Sequence, residues 1–260
     1  MTAQVAIIGG TGLYDPGLLE GVRAVTVGTP YGTVELFSGM HAGRSVAFLP
    51  RHGTGHSVPP HLVNYRANIW ALRQLGVRRC LATAACGSLA EGIAPGSLVL
   101  CDQFLDFTRG RPSTFFDGED GHVYHADMTE PYCPELRRAL AEGATRLGIG
   151  LAPHATYVCT EGPRFETPAE IRAYQRLGGE LVGMTGVPEI VLAREAGVCY
   201  ATVAIATNWA AGLAGRPLAH AEVVASMRQA TAEVRRLLLG VVASLDGVPC
   251  RACPAAPDAV

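Results

Sequence analysis

The sequence predicts an α/β fold with a largely parallel central sheet, on three observations. Short apolar runs recur between turn residues, helical patterns lie between several of those runs, and most of the helical patterns open on a proline and stop on a glycine. The runs are Val5 to Ile8, Val46 to Leu49, Cys80 to Ala85, Leu98 to Cys101, Thr156 to Cys159 and Tyr200 to Ala206. They lack strict polar alternation, as strands covered on both faces do. Pro60 to Gly76 sets Val63, Ala67, Trp70, Ala71 and Leu75 at helical spacing. Pro134 to Gly148, Pro168 to Gly178 and Pro188 to Gly197 repeat the punctuation, because proline suits the first helical turn and glycine the residue past the end. Leu218 to Gly247 predicts a long terminal helix. Strand and helix alternating in this way argue for helices packed on a sheet.

With 260 residues, no internal repeat and no linker, the chain is assigned one domain over 1–247 and a tail over 248–260. Its 21 Lys+Arg against 23 Asp+Glu leave a net charge of −2, which argues against a nucleic-acid footprint. The amino terminus lacks a basic region followed by an apolar core, and the apolar stretches are too short to span a bilayer, so a cytoplasmic location and no membrane partner are expected. Six of the eight cysteines sit singly in apolar segments, where a thiol behaves as a small hydrophobe. The tail after Gly247, with Cys250 and Cys253 in a CxxC and then proline and alanine, reads as frayed. As half of a zinc site the CxxC lacks its second pair, and no metal is expected. The polar stretch Thr108 to Tyr132 is too long for a simple connection and reads as a functional or interfacial loop.

Six segments could carry chemistry. Gly9-Gly10-Thr11-Gly12 follows a strand, so its backbone N–H groups and the Thr11 hydroxyl could meet an anion. A dinucleotide fingerprint would need glycine or alanine where Asp15 stands, and that carboxylate would repel a pyrophosphate. Arg51-His52, at another strand end, offers a planar fork and an imidazole to a phosphate or carboxylate. Thr83 to Ser88 is a run of small residues at a strand's carboxyl end, where open α/β sheets bind ligands. Thr160 to Thr167 places the Phe165 ring beside the Glu166 carboxylate, a combination able to stack on a purine and accept its N–H, or simply a helix N-terminal acid. Gly183 to Glu189 is a small polar turn entering a helix, and Thr207 to Gly212 ends a strand on the Asn208 amide.

Taken together and in order, IIGGTGLYD, PRHG, NYRANIWALRQLG, ACGSL, TEGPRFET, VGMTGVPEIVLAREAG and ATNWAAG resemble the trimeric purine nucleoside phosphorylase and methylthioadenosine phosphorylase family, from about residue 5 to about residue 245. The resemblance implies a phosphorylase-type mixed central sheet flanked by helices. It implies phosphate attack on C1′ of a purine nucleoside, no organic cofactor and no metal, phosphate being a co-substrate. It also implies a homotrimer, or a dimer of trimers, with sites near subunit interfaces. By position, Thr11, Arg51, His52, the Ala84 backbone N–H and Thr185 would hold phosphate. Ala85, Cys86, Gly87, Phe165, Gly183 and Met184 would line base and ribose, and His125 would reach a neighbouring subunit's sugar pocket. The helix around Glu189 would order the site without taking a catalytic part.

Two positions separate the subfamilies. Methylthioadenosine phosphorylases resemble this chain but carry Asp-Tyr-Asp where it has Asn208-Trp209-Ala210, and Ser where it has Glu166. A 6-oxopurine presents an acceptor at O6 and a donor at N1, which Asn208 and Glu166 match; a 6-aminopurine presents the reverse. Asn208 and Glu166 are therefore assigned the catalytic roles, and the expected substrates are inosine and guanosine. His220 reads as a partner for a 5′-hydroxyl, where methylthio-specific relatives are apolar. The alternatives are a phosphorylase for S-methyl-5′-thioinosine or methylthioadenosine, a hydrolase-like relative using water, a dinucleotide-dependent oxidoreductase and a nucleoside-binding module.

Overall fold

A computed structural model describes residues 3–10, 13, 15–119, 121–214, 220–245, 250 and 253, the side chains of 220–229 excepted. The strands are β1 (Val5–Gly9), β2 (Glu20–Thr29), β3 (Gly32–His41), β4 (Arg44–Pro50), β5 (Arg79–Ser88), β6 (Leu98–Leu100), β7 (Gln103–Phe107), β8 (Leu151–Ala152), β9 (Thr156–Thr160), β10 (Leu181–Gly183) and β11 (Cys199–Trp209). The helices are α1 (Tyr65–Gln74), α2 (Pro134–Leu147), α3 (Pro168–Arg176), α4 (Gly186–Glu195) and α5 (His220–Val242). Every apolar run read as a strand is one. The proline and glycine signals hold at α2, where Cys133 caps the helix through its sulfur and Gly148 closes it in the left-handed region, at φ 66°. The helix expected from Pro60, however, begins only at Tyr65, because Pro60–Leu62 is a separate 3-10 turn and Asn64 supplies the cap by accepting the Ala67 N–H. Thr167 and Glu170 build a reciprocal capping box on α3.

The strands form one eleven-stranded sheet in the order β2-β3-β4-β1-β5-β10-β9-β7, with β11 joining β5 to β6 and β8 extending from β6. The expected parallel arrangement describes its centre, where β4, β1, β5 and β11 run side by side in one direction. The sheet as a whole is mixed. The β2–β3–β4 meander, β10 on β5 and β11 on β6 are antiparallel. Sequence reading missed β2 and β3 because their solvent-facing residues break the apolar run. Only Val27 of β2 is fully buried.

Adjacent residues of the central strands face opposite ways and divide the core in two. Ile8, Leu49, Leu72, Ala82, Val187 and Ile190 pack on one face, beneath α1 and α4. Ile7, Phe48, Leu81, Leu136, Leu140 and Leu237 pack on the other, beneath α2 and α5. No helix among the described residues is long and apolar enough to cross a membrane.

The loop between β7 and α2 has no helix or strand among its described residues, yet its middle is tied down. The Arg111 guanidinium donates to the backbone carbonyls of Val187 and Glu161, each at 2.7 Å. The Glu195 carboxylate accepts from the Thr114 hydroxyl and the Phe115 N–H, both at 2.8 Å. At Cys250 the structure corrects the expectation of fraying. Cys250 is only 5% exposed and lies within the second core cluster, because its thiol packs against Cys133 and Cys199.

Leu140 is fully buried between α2 and the sheet, so Leu140→Ala is expected to cost about 2–5 kcal/mol, read as a lower urea midpoint with an unchanged slope.

Candidate active site

Because β4, β1, β5 and β11 are parallel neighbours, their carboxyl ends open on one edge, and Arg51, Gly10, Cys86 and Asn208 all follow from that single fact. The strand β5 is the hub. Its first four residues, Arg79 to Ala82, lie between β1 and β11, β11 continues along it to Ser88, and its last two residues, Gly87 and Ser88, also pair with β10. This brings the chain after β10 and the chain after β9 to the same opening. The cavity there encloses about 210 Å³. Its walls bring together eleven of the sequence-assigned residues: Arg51, His52, Ala85, Cys86, Gly87, Phe165, Glu166, Gly183, Met184, Thr185 and Asn208.

Arg51 organises one end. Its Nε donates to Glu189 Oε2 at 2.7 Å, one terminal nitrogen donates to Glu189 Oε1 at 2.6 Å, and the other donates to the Thr83 carbonyl at 2.8 Å. The Tyr200 hydroxyl donates to Glu189 Oε1 at 2.5 Å. Burial opposes the guanidinium charge, but the bidentate Glu189 carboxylate outweighs it and raises the Arg51 pKa. Three of the five guanidinium N–H groups are thus spoken for, and two are left for a ligand. The turn after β1 closes against this group. The Gly10 N–H donates to Thr83 Oγ1 at 2.9 Å, and a Cβ on Gly10 would stand 2.6 Å from the Thr83 carbonyl and 2.9 Å from the guanidinium. The glycine is there because nothing larger fits between strand and arginine.

His52 is neutral at physiological pH. Burial, then the adjacent Arg51 charge, pulls it from 6.5 down to about 4. Its Nδ1 lies 2.9 Å from the Val58 carbonyl, so the ring proton sits on Nδ1 and Nε2 is an acceptor. Thr185 is buried and caps α4 without using its hydroxyl on the helix, which leaves that hydroxyl for the cavity. The Tyr157 hydroxyl holds this turn by accepting the N–H groups of Thr185 and Gly186 at 3.2 and 3.3 Å. Its ring comes so close to Gly183 that a Cβ there would be 2.4 Å from the hydroxyl oxygen.

The other end is set by a β-bulge. Along β11 the register steps from Ala206 opposite Cys86 to Asn208 opposite Gly87, so Thr207 is the extra residue. Neighbours in a regular strand face opposite ways, whereas here both Thr207 and Asn208 line the cavity. The Thr207 hydroxyl donates to Asn208 Oδ1 at 2.7 Å, and Asn208 Nδ2 donates to the Trp209 carbonyl at 2.8 Å. The amide orientation is therefore held from both sides, with one N–H and one carbonyl lone pair left over. Glu166 accepts from the Thr160 hydroxyl at 2.7 Å. Burial raises its pKa, and the Thr160 bond offsets that only in part. Phe165, 42% exposed, forms the open lip.

Two described residues of the assigned set, Ala84 and His125, are not among the lining residues. The Ala84 side chain packs into the core, as strand alternation requires once Ala85 faces in, and the group assigned to phosphate is its backbone N–H. His125 is exposed on the polar loop and is not among the lining residues. Thr11 and the side chain of His220 lie outside the described residues. Residue-by-residue reading missed Thr207, His56, Tyr157, Tyr200 and Arg111. For the bulge at Thr207 and the carbonyl cage around Arg111, no local signal exists, because both depend on partners far along the chain.

Residues 4–243 match the family described as the phosphorylase superfamily. The chain belongs to the phosphorylase superfamily. Among its relatives in that superfamily, a probable 6-oxopurine nucleoside phosphorylase of Dictyoglomus turgidum is 55% identical, over 92% of this chain and 90% of the relative. The 6-oxopurine nucleoside phosphorylase of Pyrococcus furiosus is 54% identical, over 92% of each. A probable S-methyl-5′-thioinosine phosphorylase of Methanopyrus kandleri is 49% identical, over 96% of this chain and 95% of the relative. Among solved structures, a methylthioadenosine phosphorylase from Schistosoma mansoni in complex with adenine superposes with a TM-score of 0.88 at 38% identity, covering 94% of this chain and 92% of that one. The expected mixed sheet flanked by helices is thus the fold that this superfamily member has.

Glu189→Ala should leave the Arg51 charge buried and unpaired, at a cost of about 3–5 kcal/mol in a denaturation experiment, while Glu189→Gln, which keeps an acceptor, should cost less.

Proposed function

We propose that the chain is a 6-oxopurine nucleoside phosphorylase, a pentosyltransferase that cleaves inosine and guanosine with phosphate to free base and ribose 1-phosphate. The observation that carries the reading is the presence of Asn208 and Glu166 in the lining of one cavity, with the amide held in a single sense by Thr207 and the Trp209 carbonyl. The free Asn208 N–H would donate to O6, and its carbonyl would accept from N7 as that nitrogen gains a proton. Glu166 would accept the N1–H and, with guanine, the 2-amino group. Adenine would set an N1 lone pair against the Glu166 carboxylate and an N6 donor against the Asn208 donor. Each such mismatch costs about 1–3 kcal/mol.

In the reaction a phosphate oxygen bonds to C1′ as the bond to the purine nitrogen breaks, and the bonding pair leaves with the base. Asn208 and Glu166 would meet the charge that gathers on the purine, so they stabilise the transition state more than the ground state. The two free N–H groups of Arg51, the Thr185 hydroxyl, Thr11 and the Ala84 backbone N–H would orient phosphate. Neutral His52, with Nε2 as acceptor, suits a protonated phosphate oxygen better than it suits a general base. Ala85, Cys86, Gly87, Phe165, Gly183 and Met184 would enclose base and ribose, His220 would bond the 5′-hydroxyl, and His125 would complete a neighbouring subunit's site. The reading includes a homotrimer, a cytoplasmic location and no organic cofactor.

Steady-state rates with and without phosphate, on inosine, guanosine, adenosine, methylthioadenosine and methylthioinosine, test the proposal. Phosphate-dependent turnover of the first two supports it. Turnover without phosphate, or preference for adenosine, overturns it, and preference for methylthioinosine reassigns the 5′ end.

Asn208→Asp should lower kcat/KM for inosine by roughly 5–150-fold, the equivalent of about 1–3 kcal/mol, and shift competition towards adenosine. In the pH profile for inosine, activity should fall as pH drops through the raised Glu166 pKa, above the usual glutamate range, because the protonated acid no longer accepts N1–H. Glu166→Gln should remove that acid limb from the profile.

A further inference from the structure

We infer that Cys133, Cys199, Cys250 and Cys253 form a structural zinc site that fastens the C-terminal tail to the sheet. Four sulfur atoms from three distant parts of the chain lie within 4.8 Å of one another. The pair that the CxxC lacks in the sequence is supplied by Cys133, at the start of α2, and Cys199, at the start of β11. Cys133 and Cys250 are 3.3 Å apart and Cys199 and Cys250 are 3.7 Å apart. Four thiolates bound to zinc at about 2.3 Å stand about 3.8 Å apart along a tetrahedron's edges, so the spacing suits a shared ion. Sulfur atoms bonded as a disulfide would be about 2.05 Å apart.

The surroundings favour thiolates. The Leu136 N–H donates to Cys133 Sγ at 3.5 Å, and the Cys250 N–H donates to Cys199 Sγ at 3.4 Å. Backbone N–H groups of this kind are the usual outer partners of metal-bound sulfur. Cys133 also sits at a helix N-terminus, which favours a negative sulfur. Cys133, Cys199 and Cys250 are buried, while Cys253 is partly open and gives an ion its way in. Four soft ligands without an open position make a closed site of the structural kind, not a catalytic one. Its distance from the cavity agrees. Cys199 and Asn208 stand at opposite ends of β11, about 30 Å apart at roughly 3.3 Å per residue.

Loading moves protons and no electrons: up to four thiol protons leave for solvent as Zn²⁺ takes four sulfur bonds. The inference does not depend on the proposed activity.

The test uses the full chain, purified under reducing conditions without chelator from zinc-supplemented cells. The expected results are about one zinc per chain by elemental analysis, release of that zinc by an organomercurial, and a lower Tm once it is gone. Cys253→Ser should lose the stoichiometric zinc while keeping wild-type turnover. Added to reduced, metal-free wild-type protein, Co²⁺ should give the intense visible absorption of a tetrahedral thiolate complex, and this readout decides the matter even if a cysteine variant does not fold. Three results would overturn the site: no stoichiometric metal and no cobalt spectrum in reduced protein, iron in place of zinc, or zinc that Cys253→Ser and Cys133→Ser both retain. An intact mass lower by two or four hydrogens under non-reducing conditions, with no zinc bound after reduction, would assign the cluster to disulfides instead.

Discussion

The buried ion pair between Arg51 and Glu189 is the constraint on which the rest of the site depends. A guanidinium in the interior is tolerable only when its charge is met and its N–H groups are satisfied. Glu189 meets the charge through two bonds, Tyr200 holds Glu189, and the Thr83 carbonyl takes a third N–H. These groups come from the end of β4, the start of α4, β11 and β5, so the pair cannot form until the central strands are in register. Once it forms, it leaves little net charge at the cavity. An anion arriving there would be held by directed N–H groups and hydroxyls more than by an excess of positive charge.

The opposite end of the cavity depends on direction instead of charge. Purines that differ at position 6 are similar in size, and a hydrophobic wall separates them poorly. Fixed donors and acceptors separate them well, provided the protein side cannot turn over. The bulge at Thr207 supplies that condition, since it places the hydroxyl next to the amide it must hold and aims both into the same space. The raised pKa of Glu166 fits the same scheme. Its carboxylate is dry enough to distinguish a donor from an acceptor, and the Thr160 hydroxyl steadies it.

The two ends of β11 divide the molecule's tasks. Its carboxyl end carries Thr207 and Asn208, and its amino end carries Cys199, beside Cys133 and the tail cysteines. The adjacent Tyr200 reaches across to Glu189. One strand therefore anchors the tail, braces the ion pair and presents the amide, each through residues whose directions are set by strand alternation and one local exception to it.

The sequence by itself determined the central strands, since Val5 to Ile8, Val46 to Leu49 and Tyr200 to Ala206 can bury their apolar residues on both faces only within a covered sheet. It determined the helix limits at Pro134, Gly148 and Pro168 through backbone geometry, and through co-occurring motifs it determined which residues gather at the opening. Tertiary structure alone decided what depends on partners far along the chain. Arg51 received a buried carboxylate from residue 189, Asn208 received its orientation from a register step against β5, and Arg111 found its carbonyl cage across two other elements. Cys250 and Cys253, read as half a motif on a fraying tail, gained their second pair from residues 133 and 199. Periodicity and capping are local, so they can be read along the chain. The pairing of charges, the sense of an amide and the closure of a thiol cluster are long-range, and they exist only once the strands have met.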